Sequence, residues 1–447
     1  MTEMDDRSEP TSPVLLEHLF RREAGRMVAW LARQLGSQHL QLAEDAAQEA
    51  MLRAAQLWPF HGVPEKPERW MFRVAQNYAI SSLRQAATED RNAEKLIRIL
   101  ENRPQNADDL ELDESLRDDE LCMIFMCCHP ELSQDARVAL SLKLVAGFGA
   151  GEIARVFLVE ETTVAQRLVR AKKTIREKRV PLTMPRNREL KERFDSVLEV
   201  IYLMFSSGYA AGSGEELIRQ DVCLEALRLG RLIAASSMNA PRVDALVALM
   251  ALQAARLPAR TDAAGDLVLL EEQDRALWDV GLIAMGFSYF GRSVAGEEVS
   301  EWHVQAAIAA TYAMAKSAAE IDWSAILKHY DQLMTMTGSP VVALNRAVAV
   351  MRVHGAEAGL HALEPLEGQP ALAGYYLLPA VRGQMLIEAG RMSEAEVAFL
   401  KAVDCPCSEP ERRFLREQLE SCRRESKRAV RSQSPRRESR TGTEIST

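Results

Sequence analysis

No stretch of this 447-residue chain keeps up an apolar run of the roughly 18 residues that a membrane-spanning helix needs. Its start, MTEMDDRSEPTSP, lacks the cationic segment and apolar core of an export signal, so a cytoplasmic protein with no membrane partner is expected. Cysteine is sparse and unpatterned. The seven residues (Cys122, Cys127, Cys128, Cys223, Cys405, Cys407 and Cys422) form no paired C-x-x-C, which points to free thiols in a reducing compartment. Positive charge is also short: 55 Lys and Arg stand against 64 Asp and Glu, a net charge of −9. That excludes a protein that coats nucleic acid through a broad basic surface, so any DNA contact must be local or depend on a partner. Strand-like alternation of β-branched residues is scarce, while Ala, Leu, Arg and Glu recur at helical spacing, so the expected fold class is all-α. There is no nucleophile elbow, phosphate loop or H-E-x-x-H. The two chemical candidates are CCH at Cys127 to His129, on an apolar stretch suited to buried thiols, and the unmatched C-x-C in DCPCSE at Asp404 to Glu409. Neither argues for an enzyme, and no metal or cofactor is expected.

What is present divides into blocks. Residues 13–86 read as a helical unit, and 87–118 as a polar connector. Between Glu101 and Glu120 nine acids stand against two arginines, so the connector is either a solvated linker or a flexible polyanion. Residues 119–180 form a second small helical unit. An Ala- and Leu-rich helical region follows over 186–422, then a Ser/Arg tail, 423–447, expected to be disordered. Within RGQMLIEAGRMSEAEVAFLKAVDCP, the residues Gly383, Gly390, Ala395, Phe399 and Ala402 fall at tetratricopeptide offsets, and Gly355 precedes Gly390 by 35 positions. A generic helical hairpin would place small residues similarly.

The most specific stretch is GEIARVFLVEETTVAQRLVRAKKTIREKR, residues 151–179. A first helix burying Ile153, Ala154 and Phe157 is followed by a turn. The second runs from about Glu161 through Lys173, with Val164, Leu168 and Ala171 inward. Thr162, Thr163, Gln166, Arg167, Arg170 and Lys173 are left outside, with hydroxyl, amide and cationic groups suited to base edges and phosphates in a major groove. From Arg167 to Arg179 seven basic residues face one acid, Glu177, so the positive footprint is confined to one helix.

The pattern carried by Glu152, Ile153, Ala154, Thr163, Val164, Arg167, Arg170 and Ala171 resembles region 4 of bacterial sigma factors of the extracytoplasmic-function group. Upstream, LAEDAAQEAMLRAAQLWP is similar to their region 2.2 helix, and PERWMFRVAQNYAISSLRQ looks like the helix that engages the −10 element. The resemblance implies that Asp45, Gln48, Glu49 and Arg53 dock on core RNA polymerase at the clamp helices of the β′ subunit, with region 4 on the β flap. It implies −10 contacts from Phe60 and His61, in a loop, and from Arg69, Arg73, Asn77 and Arg84 on a helix begun by Pro67. It implies −35 reading by Thr162, Thr163, Gln166, Arg167, Arg170 and Lys173. Trp70, in helical register with Val74, reads as a core anchor. Apart from the resemblance, the Asp45 to Glu49 edge could be a plain solvated face.

Stretches such as IFMCCHPELS, LVLLEEQDR, QAAIAA and SPVVALNRAVAV are similar to a subgroup of these factors with a tetratricopeptide-like C-terminal extension. The chain departs from that subgroup at Ser206 and Ser207, where members often carry Asn-Glu, and at SEWHVQAAIAA, which lacks a Gly-Pro-Tyr. The subgroup implies that the extension acts as a built-in regulator, with a small YCII-like protein as candidate associate. The alternative is a one-component helix-turn-helix regulator whose helical domain binds a ligand or peptide.

Overall fold

The architecture follows from where the alanines fall. The computed structural model describes residues 13–86, 91–101, 109–157, 159–185, 187–209 and 218–433, and among them no strand forms beyond one isolated bridge between Thr261 and Leu267. The expected all-α class is the one observed.

The chain separates into two compact units. The first comprises residues 1–209 and 220–243. It holds α1 (Pro13–Leu35), α2 (Leu40–His61), α3 (Pro67–Ala86), α4 (Arg91–Glu101), α5 (Asp109–Cys127), α6 (Gln134–Leu144), α7 (Ala150–Phe157), α8 (Glu161–Glu177), α9 (Asn187–Tyr209) and α10 (Gln220–Ala234). In α2, Ala43, Ala46, Ala47, Ala50 and Ala54 form a buried small-residue stripe that lets α1 and α3 pack closely. Trp58 closes that stripe against Trp70, ring centroids 5.6 Å apart, and Trp30 meets Phe72 edge-on at 5.7 Å. Trp70 and Val74 are half-buried, in keeping with an anchoring role for Trp70.

α1 is unusual: every residue from Glu23 to Ala32 is buried, on all faces of the helix. Within that stretch Arg26 pairs with Glu23 at 3.1 Å. Such a helix has partners on every side, here α2 and α3 together with α5 and α6. Gly25 permits the closest approach, since a Cβ there would stand 1.9 Å from the Val145 carbonyl oxygen.

The described parts of the segment expected to be a polar connector, 91–101 and 109–118, are helical. α4 buries Ala93 and Leu100 beside α3, where Gln76 Nε2 donates to the Leu100 carbonyl at 2.6 Å. The acidic run ends inside α5 with Asp119 and Glu120 buried. Both are held by distant arginines, Arg33 (3.7 Å to Asp119) and Arg228 on α10. α9 and α10, expected as the first helices of a separate extension, pack in this same unit. Arg137 donates to Ser196 Oγ at 2.6 Å and Gln134 to Glu199 at 2.7 Å.

The second unit comprises residues 210–219 and 244–447. It takes most of α11 (Pro241–Ala254), then α12 (Val280–Ser293), α13 (Glu301–Met314), α14 (Trp323–Thr337), α15 (Pro340–His354), α16 (Ala356–Leu363), α17 (Leu377–Glu388), α18 (Met392–Val403) and α19 (Glu409–Gln433). The tetratricopeptide spacing has a clear physical basis in this unit. Gly355 and Gly390 turn the α15/α16 and α17/α18 hairpins at φ 90° and 75°, a backbone region that glycine enters without strain. Gly383 lies where a Cβ would be 2.7 Å from the Phe399 ring, and Ala395, Phe399 and Ala402 are buried in the shared core. Residues 423–433 of the expected tail continue α19 as helix, and 434–447 lie outside the described residues.

Candidate promoter-binding surfaces

On α2, Asp45, Gln48, Glu49 and Leu52 fall at i, i+3, i+4 and i+7, one outward stripe opposite the buried alanines. Gln48 and Leu52 are exposed. Asp45 accepts from Gln41 at 2.9 Å, and Arg53 closes on Glu49 at 2.6 Å. The edge expected to dock on polymerase is therefore a single surface, with Arg53 partly neutralising it.

Phe60 and His61 are not in a loop. α2 continues through Pro59, and the N–H of Gly62 bonds to the Trp58 carbonyl at 2.9 Å, so both residues form the last turn of the helix. Phe60 is 84% exposed, a ring projecting into solvent with no core to fill. On α3, Arg73 and Asn77 are exposed one turn apart, Arg69 is half-buried one turn earlier, and Arg84 is exposed two turns beyond Asn77. Arg84 is already engaged, donating to Glu101 of α4 at 2.6 Å.

The helix-turn-helix appears at the expected place. Gly149 N–H donates to Glu152 at 2.7 Å at the start of α7, and α8 begins at Glu161. Val164, Leu168, Ala171 and Ile175 are buried, while Thr162, Thr163, Gln166, Arg170 and Lys173 are exposed. Thr163, Gln166, Arg167 and Arg170 line a groove of about 330 Å³ whose opposite wall is Glu131, Leu132, Ser133 and Ala136. Phe157, expected inside, is half-buried. Arg167 is drawn back from the outer face: its guanidinium stacks 4.9 Å from the Phe157 ring centroid and pairs with Asp135 of α6 at 3.1 Å. Lys173 pairs with Glu177 at 3.7 Å, and Lys178 with Glu131 at 3.2 Å. Arg170, Arg176 and Arg179 have no salt-bridge partner among the described residues.

One set of residues was not legible in sequence. Lys172 Nζ lies 2.5 Å from Glu44 Oε1, and Glu44 is only 4% exposed on α2. Ser37 Oγ donates to the Val180 carbonyl at 2.5 Å, and Arg33 to the Leu182 carbonyl. A buried glutamate in an alanine-rich helix was the available signal, since such a charge needs a cation.

The cysteines at 127 and 128 are fully buried. Burial holds the Cys127 thiol well above its ordinary pKa and pushes Cys128 up to about 12, so both stay protonated. Among the described residues no group of three His, Cys, Asp or Glu is placed to hold a metal ion.

Residues 19–89 match sigma-70 region 2, residues 122–175 match sigma-70 region 4, and residues 193–294 match a family of unknown function (DUF6596). An uncharacterized protein of Rhizobium meliloti (strain 1021) is 37% identical over 383 residues, 86% of this chain and 90% of that relative. No solved structure matches. The region 2 match covers α2 and α3, and the region 4 match ends within α8. The chain thus belongs to the sigma-70 family, as a sigma factor of the extracytoplasmic-function type with a C-terminal helical extension.

Proposed function

We propose that this sigma factor binds core RNA polymerase through Asp45, Gln48, Glu49 and Arg53, captures the −10 element with Phe60, His61, Arg69, Arg73, Asn77 and Arg84, and reads the −35 element with α8. The observation that carries the proposal is the division of α8 into a buried stripe and an exposed face of hydroxyl, amide and guanidinium groups. On that face Thr162, Thr163, Gln166 and Arg170 meet DNA, and Lys173 supplies backbone attraction. Arg167 acts through its grip on Phe157 and Asp135, fixing how α8 crosses α7.

The extension serves as a fused regulator. Its first helices, α9 and α10, lock onto α5 and α6 through Arg228 with Glu120 and Arg137 with Ser196, so changes in the extension have a route to the −35 reader. A small YCII-like protein is the associate suggested for that surface. The direct test is a base-by-base substitution of the −35 element, with initiation measured for the polymerase holoenzyme carrying Gln166→Ala or Arg170→Ala. Each variant should lose discrimination at one position, by about 1 to 3 kcal/mol if a bidentate contact is removed. A uniform loss at every position would reassign the residue to phosphate.

A further inference from the structure

One apolar side chain stands on the outer face of α8 among Thr162, Thr163, Gln166, Arg170 and Lys173. Val169 is 66% exposed, while Val164, Leu168 and Ile175, the other large apolar residues of the helix, are buried. At about 100° per residue, Val169 lies about 60° from Gln166 around the helix, on the side of Thr162 and Lys173. It therefore belongs to the face assigned to the −35 element and not to the buried stripe.

Neither helix stability nor packing accounts for a valine at this place. Valine is a poorer helix former than the Gln, Arg and Lys around it, because its branched Cβ loses freedom against the preceding turn. With two-thirds of its surface in water it fills no part of the core. Its neighbours one turn away are Ala165, Gln166, Lys172 and Lys173. The apolar area is thus little more than one small side chain in a polar and cationic ring, well below the few hundred Å² on which a protein partner docks. In a major groove such a group has one match. Guanine, cytosine and adenine present hydrogen-bonding edges there, and thymine adds an apolar C5 methyl group.

We propose that Val169 reads a thymine: its two methyl groups pack on the C5 methyl of a thymine in the −35 element, which makes it a specificity-determining residue. The inference rests on the reading of α8 above and adds one base to it. Val169 lies about 4.5 Å along the helix from Gln166, against about 3.4 Å per base pair, so the thymine falls within two pairs of the one that Gln166 meets. Any other base at that position sets a hydrogen-bonding edge against the valine, where it loses water and gains no partner. Val169 therefore excludes as well as selects.

The test uses the full chain in holoenzyme with core RNA polymerase and a library of promoter duplexes randomised across the −35 element. Selection should fix a thymine, on either strand, at one position. Replacing that thymine by deoxyuridine removes the C5 methyl alone and should weaken promoter binding about fourfold, the worth of one buried carbon. Cytosine there should cost more, and 5-methylcytosine, which returns the methyl, should recover part of that loss. Val169→Ser keeps nearly the same helix propensity but lacks both methyl groups, so its holoenzyme should bind the thymine and deoxyuridine duplexes equally. A selected element without thymine would overturn the inference, as would equal affinity of the unaltered holoenzyme for thymine and deoxyuridine at every thymine of that element. A methyl preference that survives Val169→Ser would overturn it too. Those outcomes leave α8 as the −35 reader and remove only Val169 from it. Enrichment of no element at all would sink the −35 reading and this inference with it.

Discussion

Replacing Arg228 by Ala tests how far the extension is built into the DNA-reading unit. Arg228 on α10 donates to Glu120 of α5 with both terminal nitrogens and to Glu225 at 2.7 and 2.9 Å. Glu120 is 1% exposed. Burial disfavours the arginine's charge, and the two carboxylates more than offset it, so its pKa lies above the ordinary value. Removing the guanidinium leaves Glu120 charged with no cation beside it, a situation that costs about 3 to 5 kcal/mol when one partner of a buried pair is deleted. Against a typical domain stability of about 5 to 15 kcal/mol, that is a large fraction. Urea unfolding of the full chain, followed by circular dichroism, should show the midpoint falling while the slope is kept. Glu120→Gln added to Arg228→Ala should recover part of the loss, because the stranded charge is then gone. A loss below about 1 kcal/mol would place this pair with solvent-exposed bridges, and would refute the claim that α10 is locked to α5 by a buried charge. By the same reasoning, truncation near residue 182 strands Glu120 and should destabilise the promoter-reading helices.

Arg167→Ala should lower stability by about 1 to 2 kcal/mol through loss of the Phe157 stacking and the Asp135 pair. It should also weaken −35 binding evenly, and Asp135→Asn should reproduce a lesser part of both effects in thermal melts and duplex titrations. Loss confined to one base pair would make Arg167 a base reader instead. Thiol alkylation of the folded chain at pH 8 should modify Cys405, the half-exposed cysteine, and spare Cys128. With a pKa of about 12, Cys128 is thiolate at roughly one part in ten thousand at that pH. Rapid native-state modification of Cys128, read by mass spectrometry, would contradict its burial. Gly383→Ala should destabilise the second unit by about 1 to 3 kcal/mol, because the new methyl would meet the Phe399 ring at 2.7 Å. An unchanged melting profile would argue against that close hairpin packing.

The sequence was informative wherever a local period carried the information. The start of α8 at Glu161, its buried Val164, Leu168 and Ala171, and the glycine turns at 355 and 390 all follow from spacing within one or two helices. It was uninformative where a residue's state depends on a distant partner. The acidic run ending at Glu120 read as solvated because nothing local reveals that Arg33 and Arg228 come across from α1 and α10 to Asp119 and Glu120. Arg167 read as a base contact because nothing local reveals Asp135, 32 positions earlier, facing it. Proline misled at the end of α2. Pro59 suggested a loop, yet the helix continues two residues further to His61 and ends at Gly62 with its φ of 79°.

The measurement that bears most directly on the central claim is binding and initiation at a −35/−10 promoter duplex by the purified full chain, with and without core RNA polymerase, near physiological salt. Weak, non-specific binding by the chain alone is expected, with stable promoter complexes and specific transcripts once core is added. Tight, sequence-specific binding by the chain alone, unaffected by core, would contradict it and leave a one-component DNA-binding regulator in its place.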